Sequence, residues 1–111
     1  MKYEFRDYLD DIQRSMELAL SFTTDMSLAD FRDDEKTQYA VIRCLEVIGE
    51  AAKRIPEEFR QGHPDIPWKS MAGMRDRLIH GYDVVDSEIV WVTVRDTIPA
   101  ILQMIAQLTD E

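Results

Sequence analysis

The stretch "DDEKTQYAVIRCLEVIGEAAKRIP", residues 33–56, decides the fold. Within it Val41, Ile42, Leu45, Ile48, Gly49, Ala52 and Ile55 return at helical spacing, so one side of a long helix is apolar from end to end. Asp33 or Asp34 can cap its start, where a carboxylate suits the positive end of the helix dipole. Pro56 ends it and opens a short helix, as first-turn prolines do. Gly49 and Ala52 are small and would let another helix approach closely. The far side carries Arg43, Glu46, Glu50 and Lys53. It reads either as a solvated face of alternating charge or as a polar surface turned toward a cleft or a second subunit.

The same periodicity runs outward in both directions. Phe5, Tyr8, Leu9, Ile12, Met16, Ala19 and Leu20 line one face of a first helix. Ser27-Leu-Ala-Asp is a capping-like start for a short helical turn. Gly62-His63-Pro64-Asp65 breaks the chain, and Pro67 opens the next helix. Its apolar positions are Trp68, Met71, Met74, Leu78 and Ile79, with Gly81 placed just past its end. Asp86-Ser87-Glu88 caps a last helix whose core face is Trp91, Val94, Ile98, Ile101, Leu102, Ile105 and Leu108. Pro99 falls inside it, so a kink is expected there. Val84-Val85 is too short to propose a sheet. The expected architecture is all-α, an up-and-down helical bundle of about four main helices plus short helical turns, in one domain spanning 1–111.

Composition agrees. A chain of 111 residues with 45% hydrophobic content fits one core and argues against disorder. Cys44 is the single cysteine, so no intrachain disulfide is possible, which fits the reducing cytoplasm. The charged start, Met-Lys-Tyr-Glu-Phe-Arg-Asp, is unlike a signal peptide, and no apolar run is expected to reach the length of a membrane span. No membrane partner is expected. The net charge of −9 argues against binding a long nucleic-acid duplex. Its distribution is uneven, with −6 over residues 1–50, +2 over 51–82 and −5 over 83–111. The one positive segment is suited to a short anionic ligand or a single strand of RNA.

That segment ends in "RDRLIHGYD", residues 75–83. One reading is structural: a histidine and arginines stabilise the negative end of a helix and Gly81 supplies its left-handed cap. The other is chemical. Arg75 offers a planar, permanently charged fork that matches phosphate oxygens. His80 can give or take a proton near neutral pH. Together they suit metal-free cleavage of RNA, whose 2′-hydroxyl lies beside the scissile phosphate. Two difficulties stand. On an ideal helix, positions five apart lie roughly 140° apart, so Arg75 and His80 do not share a face, whereas Arg75 and Tyr82 do. Acid and base catalysis also needs two groups, and His63, the other histidine, reads as a solvated loop residue. A two-fold homodimer answers both by bringing two copies of Arg75 and His80 to one cleft.

The form Arg75-x4-His80-x-Tyr82 resembles the RX4-6HXY motif of HEPN domains. "LEVIGEAAKRIP" (45–56), "IPWKSMAGMRDRLIHGYDVVD" (66–86) and "VWVTVRDTIPAIL" (90–102) are similar, in order, to the hallmark segments of the HepT-like branch. The resemblance covers nearly the whole chain. It implies a homodimeric helical bundle, and a metal-independent endoribonuclease that serves as the toxin of a type II-like or type VII toxin–antitoxin module. It implies Arg75 and His80 as catalytic residues, and Asp76, Arg77 and Tyr82 as substrate-binding or regulatory ones. It implies as partner an MntA-type nucleotidyltransferase antitoxin that attaches AMP to Tyr82. The phosphate so added beside Arg75 and His80 would occupy the cleft and repel RNA. The alternative is a non-catalytic helical module that binds nucleotide or docks a nucleotidyltransferase.

The remaining residues read as structural. Cys44 stands one position off the core stripe, as a helix-surface or interface thiol. Trp68 and Trp91 read as core or dimer-interface anchors, and the six methionines as packing. No glycine loop that cradles phosphate and no Cys/His spacing for a metal is visible, so no cofactor is expected.

Overall fold

Four of the helices begin at side chains that satisfy otherwise orphaned backbone N–H groups. The computed structural model describes residues 4–74, 76, 79–80 and 84–110, with 79–80 and 84–85 by backbone alone. Helix α1 (Phe5–Phe22) starts where the Asp7 carboxylate accepts the Glu4 N–H at 2.8 Å. Helix α2 (Leu28–Asp33) starts with a reciprocal box. Ser27 Oγ accepts the Asp30 N–H at 3.1 Å, and the Asp30 carboxylate accepts the Ser27 N–H at 3.0 Å. Of the two candidate caps for helix α3 (Glu35–Arg54), Asp34 is the one used. It accepts from the Thr37 N–H at 3.0 Å and the Thr37 hydroxyl at 2.7 Å. These bonds hold the Asp34 carboxyl below the ordinary aspartate value.

Pro56 precedes the short α4 (Glu57–Gln61) and Pro67 precedes α5 (Trp68–Ala72). Asp86 caps α6 (Ser87–Val92), accepting the Glu88 and Ile89 N–H groups at 3.1 Å. A π-helical segment, Thr93–Thr97, joins α6 to α7 (Ile98–Thr109). The Ile98 N–H reaches back five residues to the Thr93 carbonyl. This is the form taken by the expected disturbance at Pro99. A proline lacks the N–H and its ring crowds the carbonyl four residues back, here that of Arg95, and the wider π register relieves the crowding.

The core lies where α1, α3 and the run from α6 to α7 meet. Leu9, Ile12, Met16 and Ala19 of α1 are buried against Val41, Leu45, Ile48 and Ala52 of α3. Val90, Val94, Ile98, Ile101 and Ile105 close the third side, and Phe31 of α2 lies beneath Trp91 with ring centroids 5.5 Å apart. Each large aliphatic side chain removed from water in this way stabilises by about 1.5–3 kcal/mol before entropy is counted. Gly49 permits the close approach read from the sequence. A Cβ there would stand 3.2 Å from the Ala72 carbonyl oxygen and 3.3 Å from that of Met71, so α5 rests directly on the α3 backbone.

Arg95 ties two ends together. Its guanidinium donates to Thr23 Oγ1 at 3.1 Å and lies 5.9 Å over the Trp91 ring. Buried Thr23 in turn donates to the Ala19 and Leu20 carbonyls at 3.1 Å. The last turn of α1 has no basic residue of its own, and a cation from the far end of the chain supplies one.

Several expectations are corrected. The helix expected to run from Pro67 to Gly81 stops after Ala72, at Gly73. Glycine is a poor helix former, and past it the Met74 and Asp76 N–H groups bond three residues back, to the Met71 and Gly73 carbonyls, in place of the helical four. Further on, Ile79–His80 (β1) pairs antiparallel with Val84–Val85 (β2), Ile79 opposite Val85 and His80 opposite Val84. β-branched residues at three of these four positions favour the extended backbone. Among the described residues the long helical elements are α1, α3 and the run 87–109, with α2, α4 and α5 as short ones. That run is also long and apolar enough to cross a membrane by length and composition, contrary to expectation. Its Val90, Val94, Ile98, Ile101 and Ile105 are buried. Cys44 is not a surface thiol but part of the core, and burial pushes its thiol up from the ordinary value. His63 is half-buried, its ring 4.6 Å from that of Phe59 while its carbonyl accepts the Trp68 indole N–H at 3.0 Å.

Candidate functional site

The outer side of α3 lies between two grooves. Toward α1 the walls are Tyr8, Asp11, Val47, Ala51 and Arg54, enclosing about 310 Å³. Toward α5 they are Gly49, Lys53, Ala72 and Asp76, enclosing about 230 Å³. Arg43, Glu46 and Glu50 border both. Arg43, Glu50 and Lys53 are exposed and Glu46 is half-buried, so the polar side of α3 is a solvated face that also borders the two grooves.

The groove beside α5 is where the sequence motif meets the scaffold. Gly73 ends α5, and the Asp76 N–H donates to the Gly73 carbonyl at 3.1 Å, which holds Asp76 one turn beyond the helix. Asp76 is exposed and faces Lys53 and Arg43 across the groove. The close contact of Gly49 with Ala72 sets how near this segment comes to α3. Formal charges in the groove are two positive, from Arg43 and Lys53, and three negative, from Glu46, Glu50 and Asp76. Glu50 is also paired with Arg54 at 3.3 Å. The groove alone is thus no strong anion cradle, and an anion bound here needs further cations.

The other motif residues stand as follows. His80 lies in β1, its backbone opposite Val84. It is not in the last turn of a helix, so the angle of roughly 140° from Arg75 on one helix no longer applies. Arg75, Arg77 and Tyr82 lie outside the described residues. Asp76 is the one predicted site residue whose side chain the structure describes. Sequence reasoning passed over Tyr39, which is 70% exposed on the first turns of α3. The signal was available: Tyr39 lies four residues before Arg43 and so shares its side of the helix.

The bundle thus brings one member of the stretch 75–83, Asp76, to a mixed-charge groove beside its central helix. The chain belongs to the HepT-like ribonuclease family, whose description, Ribonuclease HepT-like, matches residues 12–108. It is 52% identical over 101 residues to a protein of Thermococcus cleftensis named "Probable ribonuclease HepT", covering 91% of this chain and 92% of that one. It is 45% identical over 107 residues to a Methanocaldococcus jannaschii protein named as a "Putative RNase", covering 96% and 88%. A protein of Caldanaerobacter subterraneus with the same description is 40% identical over 103 residues, covering 93% and 92%. No solved structure matches.

Proposed function

We propose that this protein is a metal-independent endoribonuclease toxin, active in the cytoplasm as a homodimer that brings two copies of Arg75 and His80 to one cleft. Membership of the ribonuclease family carries the reading. The groove beside α5 holds Arg43 and Lys53 against Glu46, Glu50 and Asp76, so the reading relies on Arg75 and Arg77 for the further cations.

In this mechanism one His80 takes the proton of the 2′-hydroxyl. The 2′-oxygen forms a bond to phosphorus while the bond from phosphorus to the 5′-oxygen breaks. The products are a 2′,3′-cyclic phosphate and a 5′-hydroxyl. The second His80, from the partner protomer, protonates the leaving oxygen. Arg75 stabilises the charge that gathers on the phosphoryl oxygens, which is the larger part of such catalysis. Arg77 adds a phosphate contact, and Asp76 orients Arg75 or its dimer mate. Tyr82 touches substrate and is also the regulatory site. An MntA-type nucleotidyltransferase antitoxin joins its phenolic oxygen to the α-phosphorus of ATP, releasing pyrophosphate. The added phosphate then fills the cleft and repels RNA.

The test is cleavage of a mixed RNA pool by purified protein in EDTA, with a folded His80→Ala variant beside it. Cleavage by wild type alone is expected. Equal cleavage by both would remove His80 from the chemistry. Cleavage by neither, from unmodified dimer, would turn the reading to a nucleotide-binding module that docks a nucleotidyltransferase.

A further inference from the structure

On α3, Tyr39, Arg43, Glu46, Glu50 and Lys53 follow at steps of four, three, four and three residues. At about 100° per residue these five stay within an arc of roughly 80°, on the side away from Leu45 and Ile48. Tyr39 begins the ridge and is far more exposed, at 70%, than Phe22, Ile89 or Val92, which are near 40%. Lys53 ends it, in the groove that Asp76 lines. Glu50 is tied to Arg54, whereas Arg43 and Lys53 make no ion pair among the described residues.

We propose that this ridge is a track for single-stranded RNA leading away from the cleavage site, with a base stacked on Tyr39 and phosphates held by Arg43 and Lys53. The proposal rests on the ribonuclease reading for the end of the track at Asp76. The aromatic ring supplies a face on which any base can stack, so the contact tolerates sequence. From Tyr39 to Lys53 the axis rises ~21 Å, about six stacked nucleotides at ~3.4 Å each. The carboxylates between the two cations decide the kind of nucleic acid. A duplex carries a charge every ~1.7 Å and would press phosphates against Glu46 and Glu50. A flexible single strand can bow over them and touch down at Arg43 and Lys53. The net charge of −9 favours the same choice.

The experiment measures binding of labelled single-stranded RNA by fluorescence anisotropy, and steady-state cleavage, for the whole protein and its variants. Tyr39 is mostly exposed, so Tyr39→Ala leaves the core intact. It is expected to raise Kd and KM on a long single strand by about tenfold, the loss of one stacked base, with the effect on KM and not on kcat. Tyr39→Phe restores both, and the defect shrinks on a trinucleotide too short to reach the ring. Arg43→Gln and Lys53→Gln each lower the slope of log affinity against log salt by about 0.7. Equal Kd and KM for wild type and Tyr39→Ala, in a protein that cleaves, would overturn the track and leave the ribonuclease reading standing. Tyr39-dependent binding without cleavage would uphold the track and sink the ribonuclease reading. Loss of self-association in Tyr39→Ala with RNA binding unchanged would overturn it in favour of a protein interface.

Discussion

Helix α3 and the segment that begins at α5 face each other across one groove, and they are built on opposite plans. Helix α3 runs unbroken for 20 residues, with a tight N-cap and its buried residues between α1 and α5. Helix α5 is helical for five residues, then stops at Gly73, and the chain beyond it reaches a ladder of two residue pairs. The first holds its shape through long-range packing. The second leans on the first through Gly49, where two backbone carbonyls lie within 3.3 Å of where a Cβ would be. The difference teaches a division of work. The scaffold helix supplies the fixed wall, and α5 with Asp76 is positioned against it.

The strongest way to break the comparison is to weaken the wall. Leu45 is fully buried in α3, and Leu45→Ala should cost about 2–5 kcal/mol, read from urea unfolding. A cost below about 1 kcal/mol would mean that the core does not depend on α3 as described. Next comes the contact itself. Gly49→Val should cost about 1–3 kcal/mol through overpacking against the Ala72 and Met71 carbonyls. It should also lower RNA cleavage by displacing the segment that carries Asp76. A stable Gly49→Val protein with wild-type cleavage would detach the motif from the α3 wall.

Two smaller effects sharpen the account of α3. Burial raises the Cys44 thiol above its ordinary value, so thiolate is scarce at neutral pH. Alkylation by iodoacetamide should be slow in the folded protein, quicken as the pH rises, and become fast only on unfolding. Rapid labelling of the native state would place Cys44 on the surface after all. At the N-terminus, the hydrogen bonds from Thr37 lower the Asp34 carboxyl. The unfolded chain therefore binds the proton more tightly, and the stability from this charge is present above the ordinary aspartate value. It is lost as the pH falls toward the lowered one. Asp34→Asn keeps a good cap without the charge, so its deficit in Tm at neutral pH should vanish in acid.

The caps were legible because their chemistry is local: Ser27, Asp34 and Asp86 each meet an N–H two or three residues on. Cys44 was misread because a helix held between two neighbours buries more of its circumference than its apolar stripe shows. Cys44 and Ala51 lie round on the flank toward α1, where burial follows from the partner and not from the stripe. The end of α5 was misread for a related reason. Met74, Leu78 and Ile79 continue a helical spacing past Gly73, and a spacing that suits a helix does not compel one. Of the proposed site, Arg75, His80 and Tyr82 were legible as a motif of side chains suited to phosphate. The groove that Asp76 shares with Lys53 was not, because those residues are 23 positions apart and meet only through the packing of α5 on Gly49.

By itself the sequence determined what depends on neighbours along the chain. It specified the helical periods, their capped starts, the breaks at Pro56 and Gly62–Asp65, and the family that those segments identify. The tertiary structure decided what depends on neighbours across space: the burial of Cys44, the π-helical turn before Pro99, the Arg95 contact with Thr23, and the two grooves beside α3. The reason is the range of the forces. Capping and helical periodicity act within one or two turns, whereas exclusion of water from a face requires another element to cover it.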